Sequence, residues 1–243
     1  MAHYVSAAPL WAVIVFIPVF LYSVFFITRT ARQAALNAGL AQHQARNIRF
    51  GIFGFSVLYL LYASMLALNG VLDVNALPPR ALVWAGIPLM VILFAIIGNL
   101  PLYKRLLQSI PLEALIRVHI FRVVGVFFLI LLSYRVLPAR FGLFAGLGDI
   151  ITALFAYPVA RMASRQQRGW KLAVYLWNIF GIMDIIDLLT VAVLTGSGGN
   201  LREMAIFPFV WFPVFAPATI LFLHAAVFRK LGQQAAGDHN RRP

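Results

Sequence analysis

The chain has seven acidic residues in 243, and three of them, Asp149, Asp184 and Asp187, fall inside long apolar runs. An ionisable side chain at membrane depth costs roughly 2.5–3.5 kcal/mol on insertion scales, so it normally pairs or lines a cavity. Asp149 and Asp184 sit in matching strings, Gly146-Leu-Gly-Asp149-Ile-Ile and Gly181-Ile-Met-Asp184-Ile-Ile. On a helix, Asp187 stands close to the same face as Asp184. Neighbouring ionised carboxylates repel, and a proton, a cation or a polar solute held between them relieves the repulsion. Helical rise places Asp149 and Asp184 each ~12 Å below the outer surface, with Arg135 as the nearest basic group in depth and the expected counter-ion. A network of the same groups that only fixes helix packing is the plainer alternative.

A second polar set is expected nearer the opposite surface. His119 and Arg122 lie one turn apart, so they share a helix face. His224 falls ~6 Å in from the same surface, with Asn178 close in depth. Two histidines on different helices are the minimum for axial ligation of a b-type haem, with Arg117 or Arg122 turned to the propionates. The alternative is a pair of interfacial histidines hydrogen-bonded to backbone or headgroups.

Other chemistries lack their parts. There is no cysteine, which removes disulfides, thiolate catalysis, iron–sulfur clusters and Cys-ligated zinc. No Walker A, G-x-S-x-G or H-E-x-x-H string occurs. Lys104, Lys171 and Lys230 all stand at or beyond helix ends, so no lysine is placed for a retinal Schiff base. No catalytic or metal-ligating set is expected.

The elements that position these residues follow from composition. The chain is 62% apolar and 11% charged, whereas a soluble domain is charged at roughly 25% of positions. The apolar surplus must face lipid. Apolar segments of spanning length cover residues 10–27, 50–69, 81–100, 118–137, 141–162, 172–195 and 206–228. This predicts an all-α polytopic transmembrane bundle of about seven helices: one domain over residues 1–232, then a short disordered tail over 233–243.

Lys and Arg fix the expected orientation. Fifteen fall in the loops after the first, third, fifth and seventh segments, and only Arg80, Arg135, Arg140 and Arg202 fall in the alternate loops. That bias predicts the N-terminus outside and the C-terminus in the cytoplasm, in a bacterial inner membrane. The net charge of +13 lies in short clusters between apolar runs, which suits anionic headgroups and not nucleic acid.

Local patterns add detail. Gly142, Gly146, Asp149, Ala153, Ala156 and Ala160 share one face of the fifth segment, a small-residue ridge that admits a neighbouring helix and turns Asp149 toward protein. Pro208, Pro213 and Pro217 are expected to bend the seventh segment into a gate. Residues 102–115 read as an interfacial amphipathic helix. Asp73, Asn75 and Pro78-Pro79 mark one external turn, and Gly196 to Asn200 another. Trp11, Trp84, Trp170 and Trp211 fall near expected interfaces. A shift of 127 residues lays Ile52-Phe53-Gly54 on Ile179-Phe180-Gly181 and Val83-Trp84 on Val210-Trp211. At another offset, Thr30-Ala31-Arg32-Gln33 resembles Ala163-Ser164-Arg165-Gln166, the pattern of a weak parallel 3+1+3 repeat.

The function expected from these residues is a small inner-membrane transporter or ligand-binding protein, proton-coupled through Asp149, Asp184, Asp187 and Arg135 and acting on a small polar solute. The alternatives are a bis-His haem b protein using His119 and His224, and a non-catalytic sensor or assembly subunit.

Overall fold

The computed structural model describes residues 6–72, 76–195 and 201–239, and among them the fold is all-helical. The helices are α1 (Leu10–Asn37), α2 (Gln42–Leu68), α3 (Leu82–Asn99), α4 (Pro101–Ser109), α5 (Leu112–Ser133), α6 (Ala139–Ser164), α7 (Trp170–Thr195) and α8 (Trp211–His239). All except α4 are long and apolar enough to cross a membrane, as in an integral multi-pass membrane protein. Large apolar side chains stay exposed on the outside of the bundle, among them Leu10, Tyr22, Leu58, Met65, Leu154 and Leu172. Lipid is the solvent that makes such a surface stable.

Several boundaries differ from the sequence expectation, each for a local reason. Ile110 precedes Pro111 and is held extended, because a residue before proline is pushed out of the α region. The expected amphipathic helix therefore stops at Ser109, and α5 starts at Leu112, before the fourth apolar segment. The middle of α5, Val118–Gly125, is 3-10 helix, which rises about 2.0 Å per residue instead of 1.5 Å. The seventh span begins at Trp211, so Pro208 precedes it, Pro213 sits in its first turn, and only Pro217 interrupts its interior. At its far end the helix runs on to His239, although a disordered tail is expected from residue 233. Gln and Ala at 233–236 are good helix formers and carry the helix past the bilayer. Asp73, Asn75, the Gly196 to Asn200 turn and residues 240–243 lie outside the described residues.

Helix α3 widens into π-type turns at Leu82–Gly86 and Ile92–Ile96. Pro88 has no N–H for the Trp84 carbonyl one turn back. The Tyr62 hydroxyl donates to that carbonyl at 3.1 Å, and the Tyr59 hydroxyl donates to Ala85 at 2.7 Å. Two tyrosines of α2 thus satisfy the freed backbone inside the membrane. In the segment before α8, Glu203 is buried and accepts from the Ser6 hydroxyl and, at 3.1 Å, from the Ala7 N–H.

Helix α6 packs along both α5 and α7, and α8 runs beside α7 and α3. Two apolar cores form. One is aromatic and gathers Phe16, Phe20, Phe127, Phe128, Phe209 and Phe212 toward the end of the bundle where α1 begins. The other joins Ile116, Ala156, Ala160, Val174, Trp177 and Val227 toward the opposite ends. Between them lies a polar layer contributed by α5, α6, α7 and α8.

Candidate functional site: a buried arginine shared by two carboxylates

Arg122 is fully buried, and its guanidinium is spread over four groups. Nε donates to Asp149 Oδ1 at 2.7 Å, and Nη2 pairs with Asp184 Oδ2. Nη1 reaches the Gly181 carbonyl at 3.3 Å and His224 Nε2 at 3.2 Å. Guanidinium can only donate, so Nε2 of His224 accepts and its proton sits on Nδ1. That Nδ1–H meets Asn178 Oδ1 at 2.8 Å, while Asn178 Nδ2 donates to the His224 carbonyl at 3.2 Å. Arg122, Asp149, Asp184 and His224 each stand ten or more residues from either end of their spans, about 15 Å along the helix axis and hence near mid-bilayer.

Small residues make this contact possible. A β-carbon on Gly125 would collide with the Asp149 side chain, one on Gly148 with the Asp184 carboxylate, and one on Gly181 with the His224 ring. The buried face of α6 includes Gly142, Gly146, Ala153, Ala156 and Ala160, the ridge seen in its sequence. Gly142 and Gly146 press on Leu132 and Leu129 of α5.

The two polar layers expected from sequence are therefore one. Helix α5 begins six residues earlier than expected, its 3-10 stretch carries Arg122 ~2 Å further along the axis, and α8 extends well past His224. These shifts bring Arg122 and His224 to the depth of the carboxylates. Arg135 is not the counter-ion. It lies exposed in the turn after α5 with a left-handed backbone, φ 58°. Asp187 is also exposed, on the outward side of α7. Arg122, assigned by sequence depth to the other layer, takes the place of Arg135.

His119 and His224 do meet, but ring against ring: their centroids are 4.0 Å apart at a tilted interplanar angle of 34°. A bis-histidine haem needs one imidazole on each side of the porphyrin plane. Rings already in contact leave no space for the macrocycle, so this pair does not fit haem b. Trp177 closes the group edge-on to His119, 5.1 Å between centroids at 85°, and its Nε1 donates to Thr152 O at 3.0 Å. Trp177 carries no signal in the sequence that marks it for the cluster, and Trp211, the first residue of α8, stands at a span end. The Trp211 ring is buried in the aromatic core and donates to Ser64 Oγ at 2.9 Å.

Both ring nitrogens of His119 are buried without a hydrogen-bond partner. Leaving a buried polar atom unmade costs about 1–3 kcal/mol. His119→Phe should therefore raise the melting temperature in detergent, and a lower one would show that the imidazole nitrogens are satisfied in the membrane.

A cavity of about 60 Å³ opens beside the cluster, room for several waters. Arg80, Leu72, Leu201 and Met204 stand at the loop end; Leu188, Phe128, Phe212 and Ile220 are among its walls, and Asp149 is its one buried charged group.

A family model described as a domain of unknown function, DUF8737, matches residues 77–232, well over half of the chain. The chain belongs to the DUF8737 family. The matched DUF8737 segment holds every residue of the cluster and runs from the cavity mouth into α8, leaving α1 and α2 outside. No curated protein and no solved structure matches the chain.

Proposed function

We propose that this protein is a small proton-coupled transporter or ligand-binding protein of a bacterial inner membrane, working through Arg122, Asp149 and Asp184. The observation that carries the reading is charge balance. One buried guanidinium is shared by two buried carboxyls, so the cluster is neutral when it holds one proton and carries a single negative charge without it. A buried uncompensated charge is costly, so one positive charge has to occupy the site, and a proton and a ligand cation compete for that role.

The ligand follows from the cavity. Its walls are apolar, and it ends on Asp149. This favours a small cation with an apolar body over a freely polar solute. The arriving cation takes the place of the proton, which leaves to water, and the net charge is unchanged. The basic loops support an N-outside, C-inside orientation, in which the cavity mouth at Arg80 and Leu201 faces outward. The fourfold sharing of Arg122 also supports a site that has to be held in place, because the alternative of plain packing needs no cavity ending on a carboxylate.

The test uses tetramethylammonium, which has a fixed charge and an apolar surface. Titrated into weakly buffered protein in detergent, it should release about one proton for each cation bound. Asp184→Asn is already neutral without a proton, and should lose both the release and the binding. Binding without proton release, or equal binding by wild type and Asp184→Asn, removes the carboxylates from the function. No binding to the wild type rejects a cationic ligand.

A further inference from the structure

The membrane ends of α1 and α6 present two clefts of one design. The first, about 390 Å³, is lined by Arg29, Arg32 and Arg49 with Phe25 and Gln33. The second, about 320 Å³, is lined by Arg117, Arg161 and Arg165 with Tyr157 and Ser164. Each gathers three guanidiniums, and among the described residues none of the six has an ion pair to a carboxylate.

Three other basic groups on this face are committed to the protein. Arg105 donates to Ala38 O at 2.7 Å, Lys230 to Gln108 O at 2.7 Å, and Arg229 to Gly98 O at 3.5 Å. In the first cleft the Arg49 guanidinium carbon sits over the Phe25 ring, 4.1 Å from its centroid. Its Nε is buried without a hydrogen-bond partner, a charged donor in search of an acceptor. This cation–π contact restrains the position of the guanidinium, whose fork of donors can then serve an anion.

We propose that each cleft binds the phosphate of one acidic phospholipid headgroup. Three donor-rich cations converging without a carboxylate call for an anion with several acceptor oxygens, and a phosphodiester supplies them. The setting selects a lipid as its source. Both clefts sit where an apolar span ends, so acyl chains can lie along the exposed apolar faces of α1 and α6 while the headgroup enters the cleft. The resemblance of Thr30-Ala31-Arg32-Gln33 to Ala163-Ser164-Arg165-Gln166 gives the two clefts a common sequence basis, since Arg32 and Arg165 each line one. The proposal stands apart from the mid-membrane cluster and does not depend on its function.

Native mass spectrometry of the detergent-purified protein tests it, with phosphatidylglycerol and phosphatidylcholine added at equal concentration. Up to two phosphatidylglycerol molecules should be retained in preference to phosphatidylcholine. Arg32→Gln/Arg49→Gln should abolish one of these sites and Arg161→Gln/Arg165→Gln the other, with affinity falling about fivefold for each arginine removed. Equal retention of both lipids by the wild type overturns the proposal, and so does unchanged phosphatidylglycerol binding in the variants. Inorganic phosphate is the third arm: if it displaces phosphatidylglycerol at matched concentration, the clefts are sites for a free anion and the lipid assignment fails. The preference between lipids is read on the unmodified protein, so it survives a variant that folds poorly.

Discussion

Arg122→Met should destabilise the protein more than any other single side-chain replacement in the bundle. The change keeps most of the volume and deletes the charge, leaving Asp149 and Asp184 facing each other near mid-bilayer with no cation between them. Removing one partner of a buried ionic group costs roughly 3–5 kcal/mol, and here one deletion strands two carboxyls and the Nε2 acceptor of His224. Loss of the monodisperse peak in detergent chromatography, or a melting temperature far below wild type, is the expected result. The triple variant Arg122→Met/Asp149→Asn/Asp184→Asn removes the stranded charge as well, and should recover most of the loss while abolishing proton-linked binding. Such a recovery is a strong non-additivity, as expected for groups that act as one unit. Arg135→Gln, at an exposed turn, should leave the melting temperature unchanged. An Arg122→Met protein as stable as wild type would sink the idea of a shared counter-ion. A triple variant no better than the single one would assign the loss to packing instead.

How far this site was legible in the sequence depended on which physical signal each residue leaves. Spanning segments are written in hydropathy over about twenty residues, a long average that survives local irregularity. Asp149 and Asp184 stood out because charge inside an apolar run is costly, and the small-residue ridge of α6 turned Asp149 inward. The depth of Arg122 could not be read the same way. It depends on where α5 starts and on its rise per residue, and both are changed by Pro111 and the 3-10 stretch Val118–Gly125. An error of a few residues in that register was enough to split one cluster into two layers and to select Arg135 as the partner. Trp177 is not legible because an aromatic residue in an apolar helix has no sequence mark separating a lipid-facing ring from one packed edge-on against histidine. The glycines opposite the cluster leave only a partial signal: Gly148 and Gly181 stand beside the aspartates in the sequence, but their role is to make room for side chains of neighbouring helices.

That role leads to the second large effect, from the smallest possible change. Gly148→Ala adds one methyl group at a point where its carbon would fall on the Asp184 carboxylate. The obstacle is the short, ion-paired end of a buried side chain, so it cannot swing aside without leaving Arg122. Overpacking costs typically 1–3 kcal/mol, and a displaced Asp184 adds the loss of half the ionic contact. A fall in stability on the order of 3 kcal/mol is therefore expected in thermal or denaturant unfolding. Gly51→Ala and Gly54→Ala on α2 meet open space and should be neutral or slightly stabilising, since alanine is the better helix former by about 1 kcal/mol. Shortening the obstacle separates this steric reading from a general intolerance of α6 to change. In an Asp184→Ala background the added methyl has room, and Gly148→Ala should then cost little. Asp184→Ala should itself be mild, because the one remaining carboxylate, Asp149, balances Arg122 charge for charge. The same balance that makes losing the arginine severe makes losing this aspartate cheap for folding, even as it removes the site at which a proton and a ligand cation compete.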